Sequence, residues 1–201
     1  KEFFNVSHAK NIAHKKSNGD ILINIDSDNL ILHTFVKYIM QIFNDDMNII
    51  TFGEQFKNID GGYGRICISK ENFYKLGGYN EILEGYGFED DDLLNRAVLL
   101  NLKVIKIDIK YINYLGHNNN YRIHNYKDSE NTSIHHMKNT SLSKKYISNN
   151  ILNPNEFHNI KFGEFDDFDN LKLYQNHNAG FFSCCSVRLY NLINFFNKNK
   201  K

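Results

Sequence analysis

"ILINIDSDN", residues 21–29, is the stretch on which the fold turns. Ile21, Leu22, Ile23 and Ile25 form an apolar run that reads as a buried strand. It ends in two carboxylates, Asp26 and Asp28, separated only by Ser27. A parallel strand ending this way sets its charges at the carboxyl edge of a sheet, where open α/β folds form their ligand crevice. Residues i and i+2 of a strand point the same way, so both carboxylates can aim at one point. Like charges so close repel unless a cation intervenes, and hard oxygen donors suit Mg²⁺ or Mn²⁺. An Asx-turn or helix cap explains Asp28-Asn29 equally well, because a helix begins near Leu30.

The flanking sequence alternates between helix and strand. Residues 6–17 place Val6, Ala9, Ile12 and Ala13 on one helical face, and Asn18-Gly19 supplies a stop. "LHTFVKYIMQIFN" sets Leu32, Phe35, Val36, Ile39, Met40 and Phe43 on an amphipathic helix. Residues 48–52 and 65–69 read as strands. Ser69 can cap the helix of "KENFYKL", which stops at Gly77-Gly78. Residues 89–101 predict a helix with an acidic first turn, and "KVIKID" a further strand. The expected fold class is α/β, with parallel pairing at the centre of the sheet.

Beyond residue 116 the pattern gives way to Asn, His, Ser and Lys up to a short helix near 140–147. The expected organisation is an α/β domain over 1–147, a polar linker over 148–170, and the start of a further domain or docking segment over 171–201. A chain that opens on a helix and resumes an apolar pattern so late reads as an excerpt of a longer protein. Net charge is +1, which offers nothing to nucleic acid or an anionic membrane. No transmembrane segment is expected, since no run approaches the roughly 18 apolar residues that span a bilayer. Nor does a secretory-type apolar core follow Lys1-Glu2-Phe3-Phe4. Cys67, Cys184 and Cys185 lack metal-ligand spacing and are expected as reduced thiols in a cytoplasmic, reducing setting. The richness in Lys, Asn and Ile, with 1 Pro and no Trp, points to an AT-biased genome more than to a function.

The second constellation is "GYGFEDDDL", residues 85–93. Carboxylates at a helix start interact favourably with its dipole by ~0.3–1 kcal/mol each. Four in a row exceed that need, because their mutual repulsion offsets the gain. Gly85 and Gly87 leave room for close approach, and Tyr86 offers a flat ring on which a sugar can stack while a carboxylate takes its hydroxyls. Gly61, Gly62 and Gly64 form another loop open to close approach, whereas Gly77-Gly78 is more simply a helix cap.

Residues 9–29, "AKNIAHKKSNGDILINIDSDN", resemble the Asp-x-Asp region of family 2 glycosyltransferases. Residues 61–96, "GGYGRICISKENFYKLGGYNEILEGYGFEDDDLLNR", resemble the acceptor-binding segment of the β-1,4-galactosyltransferase group. That segment has a Gly-Gly loop, a Ser-Lys-x-x-Phe helix, a Gly-Gly/Phe turn and Trp-Gly-Gly-Glu-Asp-Asp-Asp in the same order. The resemblance implies a GT-A fold, a Rossmann-like mixed sheet flanked by helices, here without its first strands. It implies Asp26 and Asp28 as metal ligands for Mn²⁺ or Mg²⁺, and Asp90 as the catalytic base. Glu89, Asp90, Gly61, Gly62 and Tyr86 would bind the acceptor, with Tyr86 where that group has Trp. Phe88 replaces a glycine. Lys10, where family 2 often has Arg, would join Asp26, Ser27 and Asp28 on the donor. His117, beyond the strand pattern at 103–115, is the candidate third ligand, with His124, His135 and His136 as rivals.

The implied activity is metal-dependent, inverting transfer of a hexose from a UDP-sugar to an acceptor hydroxyl on a glycan or glycosylated protein. Asp91 and Asp92 are expected to be structural. An inactive GT-A module that binds sugar or serves as a scaffold is the main alternative. A Mg²⁺-dependent phosphohydrolase, which also places Asp-x-Asp after an apolar strand, leaves residues 85–92 without a role. A Ca²⁺ loop needs alternating ligands and a central glycine that "EDDDLLNRAVLL" lacks.

Overall fold

The computed structural model describes residues 4–26, 29–53, 64–111, 113–114 and 131–164. Helix α1 (Val6–Lys16) leads into β1 (Ile21–Asn24), then β2 (Asn29–Leu30), α2 (His33–Asp45) and β3 (Ile49–Gly53). These are followed by β4 (Ile66–Ser69), α3 (Lys70–Lys75), α4 (Glu89–Leu99), β5 (Lys103–Ile107) and a 3-10 turn (Ile109–Tyr111). Last come β6 (Asn113–Tyr114), α5 (Thr132–Ser148) and α6 (Pro154–Phe157).

The main sheet has the order β1-β4-β3-β5. β4 lies antiparallel to both neighbours, pairing Ile21 with Ser69 on one side and Ile50 with Ile68 on the other. Parallel pairing occurs between β3 and β5, from Ile49–Lys103 to Gly53–Ile107. The expectation of a parallel centre is therefore corrected. Parallel neighbours need a crossover, usually helical, and residues 54–65 carry no helical apolar period, so the next strand returns antiparallel. β2 and β6 pair as a separate two-stranded ribbon.

Period-2 alternation splits the strands between two cores. Leu22, Ile50, Ile66 and Ile68 face Phe73, Leu76 and Tyr79, together with Leu93, Leu94 and Ala97 of α4. Ile49, Cys67 and Ile107 face Phe35, Ile39 and Phe43, the apolar stripe of α2. Each such side chain contributes roughly 1.5–3 kcal/mol by leaving water. Burial pushes the Cys67 thiol up to about 12, so it is inert packing. Ser69 caps α3, its hydroxyl accepting from the Asn72 amide, and the helix ends on Gly77 and Gly78 at φ 66° and 71°.

Two elements depart from the hydrophobic pattern. The face that α1 buries carries Ser7, Asn11 and His14, not the apolar set Val6, Ala9, Ile12 and Ala13. Asn11 donates to Tyr79 O and Glu81 Oε1 and accepts from Tyr79 N, so this face is held by polar bonds. Helix α5 is far longer than the expected 140–147, and its buried residues are His135, Asn139, Ser143 and Tyr146. The first part of the expected linker is packed, not free. Asn155 is fully buried and donates to Gly77 O and Tyr79 O, and Phe162 packs on Phe73.

Candidate active site

The core of the site is one lysine among three carboxylates. Lys10 lies on α1, and its Nζ is 2.9 Å from Glu89 Oε1 and 2.8 Å from Asp90 Oδ1 at the start of α4. The three side chains keep only 11%, 14% and 15% of their surface exposed. Asp26 stands two residues beyond the end of β1. A Cβ placed on Gly64, just before β4, would lie 2.9 Å from Asp90 Oδ2 and 3.3 Å from Asp26 Oδ2. Only glycine lets the two carboxylates close in on this point of the backbone, the Gly64 notch. Asn24 holds its rim, donating to Gly64 O at 2.9 Å.

Burial raises Asp90 to about 7; Lys10 opposes that shift, and Glu89 and Asp26 add to it. Glu89 goes the other way. Burial would raise it, but Lys10 outweighs that and holds it below the usual carboxylate range. Lys10 behaves likewise: burial would lower it, yet Asp90 and Glu89 keep it well above the ordinary lysine value. Two adjacent carboxylates are thus shifted in opposite directions, one suited to stay charged and one to exchange a proton near neutrality.

The wall beside them is the loop 84–88, with Gly85 at φ 69°, Gly87 at 91° and Phe88 at 76°. For phenylalanine that left-handed conformation costs about 1–2 kcal/mol. Asn139 on α5 holds the loop, donating to Glu84 O at 3.0 Å and Gly87 O at 2.9 Å. His135 lies against Gly85, and His136 meets Phe88 edge-on with centroids 5.4 Å apart. Tyr86 is half-buried within the loop. Asp92 does not face the notch; it pairs at 2.8 Å with Arg96, both fully buried, and Arg96 also donates to Leu76 O and Gly78 O.

Of the residues expected from sequence, Lys10, Asp26, Glu89 and Asp90 come together. Lys10, expected on the donor, contacts the two carboxylates of α4. Ser27, Asp28, Gly61, Gly62, His117 and His124 lie outside the described residues, as do Cys184 and Cys185. Asn139 and Tyr79 were not foreseen. Lys10 Nζ sits 4.8 Å above the ring of fully buried Tyr79. Among the described residues no group of three His, Cys, Asp or Glu could by itself hold a metal ion. The donor chemistry nevertheless fits a hard cation: Asp26 and Asp90 bring carboxylate oxygens together at Gly64.

Residues 52–118 match the family model described as the N-terminal domain of galactosyltransferase. That match takes in β4, α3, the loop 84–88, α4 and β5. No curated protein and no solved structure matches the chain. Among the described residues no helix is long and apolar enough to cross a membrane. The match supports a glycosyltransferase, built on a four-stranded mixed sheet flanked by helices that is consistent with a partial GT-A domain.

Proposed function

We propose that the chain is a metal-dependent, inverting glycosyltransferase that moves a hexose from a UDP-sugar to an acceptor hydroxyl. The observation that carries this reading is the pairing of Asp26 and Asp90 across the Gly64 notch, with Asp90 raised to about 7. Asp26, with Asp28 and His117, would hold Mn²⁺ or Mg²⁺. When bound, that ion supplies Lewis-acid stabilisation of the departing nucleoside diphosphate. Asp90 takes the proton of the acceptor hydroxyl as it attacks the anomeric carbon, and a group titrating near neutrality suits that task. Lys10 holds Asp90 Oδ1, leaving Oδ2 toward the notch. A single base facing the departing diphosphate makes one in-line displacement, which inverts the anomeric centre. Glu89, kept ionised, and Tyr86 with Gly61 and Gly62 bind the acceptor, a glycan or glycosylated protein.

The test is calorimetric titration of Mn²⁺ with and without UDP, on the wild-type chain and on Asp28→Asn and Asp90→Asn, alongside UDP release from a panel of UDP-hexoses. The expected result is UDP-enhanced Mn²⁺ binding that Asp28→Asn abolishes. Asp90→Asn should keep the binding but lose roughly 10²–10⁴-fold in turnover. Absence of Mn²⁺ binding in the presence of UDP would overturn the proposal and favour a non-catalytic sugar-binding module.

A further inference from the structure

Tyr79 raises a question that packing does not answer. It is fully buried in the core beneath α1 and α4, where phenylalanine would fill the same volume. Its hydroxyl is buried with no hydrogen-bond partner among the described residues, beneath the Lys10 amine that lies 2.8 Å from Asp90 Oδ1. Burying an unpaired hydroxyl costs roughly 1–3 kcal/mol, so its presence calls for a use. The charged groups around it, Lys10, Asp90 and Glu89, all belong to the candidate site.

The residue is also held unusually firmly. Its amide donates to Asn11 Oδ1 at 2.7 Å, and its carbonyl accepts from Asn11 at 2.8 Å and Asn155 at 2.7 Å. The ring stacks on His14 at 6.1 Å and meets Phe73 edge-on at 5.9 Å, with Lys10 above it. The acceptors that the Lys10 amine gathers above this ring are the carboxylates of Asp90 and Glu89. We propose that Tyr79 is a positioning residue for glycosyl transfer: its hydroxyl donates to the Asp90 carboxyl and, with Lys10, fixes the rotamer that turns Oδ2 toward the Gly64 notch. This rests on the function proposed above. It adds a second, neutral clamp to the base, from a residue that the acidic motif itself does not contain. Small misplacements of a reacting group cost large factors in rate, so holding Asp90 from two directions has a kinetic consequence.

The experiment compares Tyr79→Phe, Asp90→Asn and the double variant in the full chain. With ¹³C-labelled aspartate, the Asp90 carboxyl signal is assigned by its loss in Asp90→Asn. Tyr79→Phe is expected to move that signal, and an unmoved signal overturns the proposal whether or not the protein is a transferase. In UDP release from the most active UDP-hexose, Tyr79→Phe is expected to lower kcat roughly ten- to a hundredfold with both KM values unchanged. Added to Asp90→Asn, it should cost nothing further. An unchanged kcat, or a loss that multiplies with that of Asp90→Asn, refutes the clamp. Should Tyr79→Phe fail to fold, 3-fluorotyrosine at position 79 keeps the shape while altering the donor, and must itself shift the Asp90 signal. Should the wild type turn over no UDP-hexose, the transferase reading falls and the carboxyl signal alone decides the hydrogen bond.

Discussion

Replacing Lys10 by methionine tests the electrostatics of the site directly. Methionine keeps the length of the stem over Tyr79 but removes the charge 2.9 Å from Glu89 and 2.8 Å from Asp90. Removing one partner of a buried ion pair costs about 3–5 kcal/mol. Because Glu89 and Asp90 retain 14% and 15% exposure, the low end, about 3 kcal/mol, is expected at pH 8.5. For a chain of this size that lowers Tm by about 6–12 °C. The sign with pH follows from Asp90. Its folded value, about 7, lies above the ordinary 3.8, so its contribution is fully present below pH 3.8 and is lost as pH rises through 7. Without Lys10 its value climbs further and that of Glu89 rises too. At pH 5 both carboxyls are then neutral, and the loss should fall to about 1.5–2 kcal/mol, the lower part of the range for one charged hydrogen bond. Urea denaturation of both chains at pH 5 and 8.5 measures this. An equal loss at the two pH values, or a larger one at pH 5, would refute the assignment of Lys10 as counter-ion to both acids.

Four further outcomes are expected. Phe88→Gly should be more stable than Phe88→Ala by about 1 kcal/mol in thermal unfolding, because only glycine relieves the φ of 76°. Gly64→Ala should bind Mn²⁺ and UDP more weakly in calorimetry, since its Cβ would come within 2.9 Å of Asp90 Oδ2 and 3.3 Å of Asp26 Oδ2 and displace both carboxylates. Arg96→Met should lower Tm by at least about 6–10 °C, because it strands buried Asp92 and two backbone carbonyls. Asn139→Ala should cost about 1–3 kcal/mol and raise the acceptor KM more than it lowers kcat, since Glu84 O and Gly87 O lose their donor and the loop loosens.

The regular core was legible because its signals were apolar and periodic. The runs at 21–24, 49–53, 66–69 and 103–107 are strands, and the stripe Phe35, Ile39, Phe43 is the buried face of α2. The acidic turn of α4 and the strand end at Asp26 were legible as chemistry, and they converge on the Gly64 notch. Strand direction was not legible, since alternation names elements without fixing how a loop returns the chain. Nor were the polar faces of α1 and α5. A helix that buries Ser7, Asn11 and His14, or His135, Asn139 and Ser143, carries no hydrophobic period to detect. Its partners are backbone groups, which leave no mark in the sequence.

Those polar faces explain how a segment without regular structure can carry the site. Between α3 and α4, residues 76–88 form no continuous ladder of their own, so their amides and carbonyls need donors and acceptors from elsewhere. Asparagine, with both on one short side chain, supplies them. Asn5 donates to Glu81 O and Leu83 O, and Asn11 brackets Tyr79. Asn155 takes Gly77 O, Tyr79 O and Glu81 N, and Asn139 takes Glu84 O and Gly87 O. The loop is thereby fixed from α1 on one side and from α5 and α6 on the other. Part of the asparagine richness that reads as base composition is structural support for the turn from which Glu89 and Asp90 project. Apolar packing alone could not hold a backbone at five left-handed φ values beside a cluster of charged side chains.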